Sequence, residues 1–81
     1  MKPEQLVSMA EALHSRIQSS RGVVGLYYDA TGVFRISPTT GIRYKKIEQA
    51  FPDSIVGVYT NKVNFDAFYE DFEFFCQLMG N

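Results

Sequence analysis

Few side chains in this sequence have the chemistry to act as a catalyst: one imidazole, one thiol and a row of carboxylates. His14 borders the apolar stripe Leu6, Met9, Ala10, Leu13 and Ile17, which recurs at helical spacing. General acid–base work needs a second titratable group within hydrogen-bond reach, and none stands at a suitable spacing from His14. Cys76 falls on the apolar side of another helical pattern, where a thiol behaves as a small hydrophobe. A lone cysteine makes neither an internal disulfide nor a zinc cluster. Asp66, Glu70 and Glu73 share one helical face, but a hard cation wants about six oxygens gathered by a turning loop, so they read as a solvated acidic face. No nucleophile elbow, phosphate loop, Cys-x-x-Cys pair or His-x-x-x-His pair occurs. The expectation is a protein that is not an enzyme, with no catalytic residue, metal ligand or cofactor.

The charges are polarised. The formal net charge is −1. Residues 21–46 carry Arg21, Arg35, Arg43, Lys45 and Lys46 against Asp29 alone, whereas residues 47–81 carry Lys62 against Glu48, Asp53, Asp66, Glu70, Asp71 and Glu73. The basic segment is interleaved with Tyr27, Tyr28, Phe34 and Tyr44. Rings on a sheet stack bases while cations meet phosphates, so Arg35, Arg43, Lys45, Lys46 and Tyr27 form a candidate nucleic-acid surface. The order of elements is similar to that of double-stranded RNA-binding domains, which place lysines at the start of their last helix. Here that helix begins Asn64-Phe65-Asp66-Ala67, followed by Glu70 and Asp71, so the charge has the wrong sign. Nucleic-acid binding through 21–46 is therefore the alternative reading.

The aromatic residues favour a different one. Seven Phe and five Tyr make 15% of the chain, and half of them fall between Phe65 and Phe75. At 100° per residue, Phe65, Phe68, Tyr69, Phe72, Phe75, Cys76 and Met79 occupy one arc, the stripe that faces a core. Phe74 and Leu78, four residues apart and so adjacent on a helix, lie on the far side with acids beside them. A second apolar strip is expected of a helix with a second neighbour. The candidate protein-binding residues are Phe74, Leu78, Glu70 and Asp71, with Tyr27 and Tyr59 as a separate contact surface on the outer sheet face.

These residues need elements to hold them. The first stripe predicts a helix over about 3–20, with Pro3 suited to its first turn. Asp29-Ala30-Thr31-Gly32 suits a hairpin loop whose last residue is left-handed. That loop pairs Tyr28 with Phe34 and Leu26 with Ile36, putting Val24, Leu26, Tyr28, Phe34 and Ile36 on one face. In residues 38–53, Tyr44, Ile47, Ala50 and Phe51 fit a short helix ending at Pro52; Ile42 and Tyr44 also fit a third strand beside Ile36. Ile55-Val56-Gly57-Val58-Tyr59 reads as a strand, echoes Val23-Val24-Gly25-Leu26-Tyr27, and implies neighbouring central strands in similar environments. The final helix starts near Asn64 and frays at Gly80.

The fold class expected is α+β. It is a two-layer sandwich of a small antiparallel sheet of three or four strands, with the N- and C-terminal helices on one face. The order is α-β-β-(α or β)-β-α, in a single domain over residues 1–81. No apolar run reaches the roughly 20 residues of a membrane span, and MKPEQLVSMAEALHS is not the pattern of a signal peptide. The expected function is a cytoplasmic protein–protein interaction module of a regulatory or inhibitor kind, self-associating as a homodimer, binding another protein, or both.

Overall fold

The computed structural model describes residues 2–80, in the order α1 (Pro3–Gln18), β1 (Val24–Tyr28), β2 (Phe34–Pro38), α2 (Ile42–Ala50), a 3-10 turn (Pro52–Ser54), β3 (Ile55–Tyr59) and α3 (Phe65–Leu78). The strands form one antiparallel sheet in the order β2-β1-β3. This is the expected α+β architecture.

The hairpin register is the one its turn chemistry dictates, with Leu26 opposite Ile36 and Tyr28 opposite Phe34. Gly32 has φ +83°, a conformation a Cβ would strain. The Asp29 carboxylate accepts from the Thr31 hydroxyl at 2.6 Å and from the Thr31 and Val33 amides at 2.9 and 3.0 Å, and it pairs with Arg35. The Thr31 hydroxyl, the Val33 amide and Arg35, in that order, hold its carboxyl well below the usual carboxylate range.

One sheet face packs on α1 and α3. Val24, Leu26 and Tyr59 meet Ala10, Leu13 and Ile17 from α1 and Phe68, Phe72 and Cys76 from α3, all buried. Phe68 stacks on Phe72 and meets the edge of Tyr59, while Phe34 packs on Phe72. Burying each such ring contributes about 1.5–3 kcal/mol, and a core this dense in rings explains most of the aromatic excess. Asn64 caps α3, its Oδ1 accepting from the Ala67 amide at 2.8 Å.

Residues 42–50 are helical, and α2 lies on the opposite face of the sheet. Gly25 points away from the α1–α3 layer, and a Cβ built there would overlap the ring of Tyr44. Tyr44 is buried on bare backbone beside Tyr27, which is 1% exposed. The strand alternative beside Ile36 fails: no strand among the described residues pairs with the outer edge of β2, and residues 42–50 instead form a helix that covers the second face through Tyr44. Phe51 is not part of the apolar side of α2: it follows the last turn and is 61% exposed. Ala50 is exposed as well.

Two further expectations need correcting. β3 neighbours β1, but it is an edge strand. Tyr27 and Tyr59 do not share an outer face. The antiparallel register sets Tyr59 beside Val24 on the α1–α3 side, whereas Tyr27 faces α2. Register parity decides this, since shifting a strand by one residue inverts every side chain.

Candidate functional site

α3 presents two apolar surfaces, and only one is used inside the molecule. Phe68, Phe72, Phe75 and Cys76 are buried. Phe74 is 62% exposed and Leu78 70% exposed. The strip expected beside the acids is present, with Glu70 and Asp71 exposed on the neighbouring turn of the same helix.

Folding adds residues that the helix pattern did not reveal. Phe74 and Leu78 form one wall of a groove of about 260 Å³; Pro52, Ile55 and Val56 form the other, and Asp53 and Asp71 line it too. The groove runs between α3 and the outer edge of the sheet. A bulge between Leu26 and Tyr27 in the β1–β3 register leaves Val56 without an opposite residue. Pattern reasoning ends at the strand, so no signal in the sequence set Pro52 and Ile55 beside Phe74.

Asp71 has a second role. Its Oδ2 accepts from the Tyr59 hydroxyl at 2.9 Å, tying α3 to β3. Tyr59 reaches it by lying back over Gly57, where a Cβ would overlap the phenol. Burial, then the Asp71 carboxylate, pushes the Tyr59 hydroxyl far above the usual phenol range. Tyr59 is therefore a buried strut and not a contact residue, and Tyr27 is likewise closed off, its hydroxyl 3.2 Å from that of Ser37.

The basic segment is divided. Arg35 is held by Asp29, whereas Arg43, Lys45 and Lys46 are exposed on α2. With Tyr27 and Tyr44 buried, the sheet offers neither ring for stacking bases.

His14 is buried, with Nε2 2.8 Å from the Val63 carbonyl. A carbonyl only accepts, so Nε2–H donates, and the ring packs against Phe65 and Phe68. That arrangement fixes the loop before α3 onto α1. Burial raises the Cys76 thiol above its ordinary pKa. Among the described residues, no three His, Cys, Asp or Glu side chains converge as metal ligands, and no helix is long and apolar enough to cross a membrane.

A larger apolar hollow, about 560 Å³, opens between α1, α3 and the hairpin tip. It accounts for Met79 and Met9, which stand on core-facing stripes yet are 50% and 39% exposed along its walls. No protein-family model, curated protein or solved structure matches this chain.

Proposed function

We propose that this chain is a non-enzymatic protein–protein interaction module that docks and self-associates through the outer strip of α3. The observation that carries this reading is the pair Phe74 and Leu78, adjacent, more than half exposed, and continuous with an apolar groove at the sheet edge. Scattered apolar side chains are ordinary on a surface; a strip joined to a groove and rimmed by carboxylates is the anatomy of a docking site. Light scattering of the wild type and of Phe74→Asp tests it. The wild type is expected above monomer mass and the variant at monomer mass, with an unchanged far-UV circular dichroism spectrum. A variant that assembles like the wild type sinks the reading.

The nucleic-acid alternative keeps Arg43, Lys45 and Lys46 but loses its stacking rings. It therefore reduces to a weak, salt-sensitive affinity without base recognition.

A further inference from the structure

Resting on the reading of Phe74 and Leu78 as a docking strip, we infer that its occupant is the outer face of α2 on a second copy of this chain. Ile42, the first residue of α2, is 74% exposed. At 100° per residue Lys45 and Lys46 lie within about 60° of it on the helix surface and Arg43 about 100° away. All three cations are exposed. α2 thus presents a branched aliphatic knob ringed by positive charge.

The groove beside α3 answers both features. Its apolar walls, Phe74, Leu78, Ile55 and Pro52, enclose a hollow of about 260 Å³, enough for one aliphatic side chain. Two carboxylates line it, Asp53 and Asp71, opposite in sign to the cations around the knob, and Glu70 is exposed on the same helix as Asp71. Neither set of charges is neutralised within the molecule, since the single ion pair among the described residues joins Arg35 to Asp29. Apolar fit supplies one share of the affinity, and opposite charge supplies a salt-sensitive share together with orientation and rate. A symmetric α3-to-α3 contact would instead bring together two helices that carry four carboxylates each and no cation.

The geometry has a consequence for assembly. Knob and groove are different patches, the knob at the start of α2 and the groove between α3 and β3, and in the contact inferred each copy gives its knob to one neighbour and its groove to another. The contact is heterologous, each added copy brings one unused knob and one unused groove, and growth runs head to tail unless the rotation closes a ring.

Two variants decide the matter. Phe74→Asp spoils the groove and leaves the knob; Ile42→Asp spoils the knob and leaves the groove. The wild type is expected to gain mass with concentration and to lose it when salt rises from about 0.1 to about 1 M, where the screening length shrinks from about 10 to about 3 Å. Each variant alone stays at monomer mass. Mixed in equal amounts, they form a complex of twofold mass that grows no further, because one intact knob meets one intact groove. A mixture that remains monomeric overturns the inference. If Phe74→Asp dissociates the wild-type assembly and mixing restores nothing, the strip stands as an interface and α2 is not its occupant. If Phe74→Asp leaves the assembly intact, the docking reading itself falls. Lys45→Glu with Lys46→Glu replaces Ile42→Asp should that variant lose its circular dichroism signal.

Discussion

β1 and β3 carry almost the same residues around a glycine, Val24-Gly25-Leu26-Tyr27 against Val56-Gly57-Val58-Tyr59, and the fold uses them in opposite ways. Gly25 faces α2, and its missing side chain makes room for Tyr44, a ring from a different element. Gly57 faces α1 and α3, and its missing side chain makes room for Tyr59 from its own strand. The first glycine lets a helix be clamped to the sheet. The second lets a strut form between the sheet and α3, ending on the Asp71 carboxylate. Identical local patterns therefore report only that something approaches the backbone closely. Register, set by pairing, decides what approaches and from which side.

Substitutions at the two glycines break this comparison unequally. Gly25→Ala meets the middle of a buried ring, which has no free space to enter, so the cost is expected near the top of the overpacking range, about 3 kcal/mol. For a domain of this size that is a fall in melting temperature of roughly 12–24 °C. Tyr44→Leu in the same chain should restore part of the loss; no restoration would mean the clash lies elsewhere. Gly57→Ala meets the far end of the Tyr59 side chain, which can swing aside. The expected loss is smaller, about 1–2 kcal/mol, mainly the hydrogen bond to Asp71 and part of the ring's burial. Chemical denaturation of both variants orders them, and equal losses would remove the distinction between clamp and strut.

The smallest effect is at the turn joining β1 to β2, which the comparison needs in order to hold its register. The folded-state pKa of Asp29 is depressed, so its contribution to stability is complete above the unfolded value of about 3.9 and is lost as pH falls toward the folded value. Asp29→Asn is expected to flatten the acid limb of the stability curve below about pH 4 while leaving the near-neutral limb parallel to wild type. An unchanged acid slope would show that the carboxylate gains nothing from the turn.

The helices, the hairpin and its register were legible because they rest on local rules. Pro3, the 3.6-residue stripe, the Asp29–Gly32 turn and the Asn64 cap each act within a few residues. The exposed strip of α3 was legible for the same reason, since Phe74 and Leu78 lie on one turn of one helix. Residues 42–50 were ambiguous because Tyr44 with Ile47 satisfies the helical period and Ile42 with Tyr44 the strand period within only nine residues. Packing of Tyr44 onto the sheet at Gly25 resolved them as a helix. Tyr59 enters the face opposite to the one expected because the β1–β3 register depends on a 26-residue connection and a bulge, neither of which has a turn signature. Tyr27 lies on the face expected but is closed off there by α2. The groove walls at Pro52 and Ile55, and the exposure of Ile42, needed the packing of separate elements.

The sequence by itself determined an α+β domain, a helix with more apolar surface than one core contact requires, and a charge split between a basic middle and an acidic end. Those properties follow from residue type and short-range spacing. Only the tertiary structure decided which sheet face each tyrosine enters, that α2 and α3 lie on opposite sides of the sheet, and that the leftover strip borders a groove. Those depend on strand register and on contacts between residues far apart in the chain, which no local periodicity encodes.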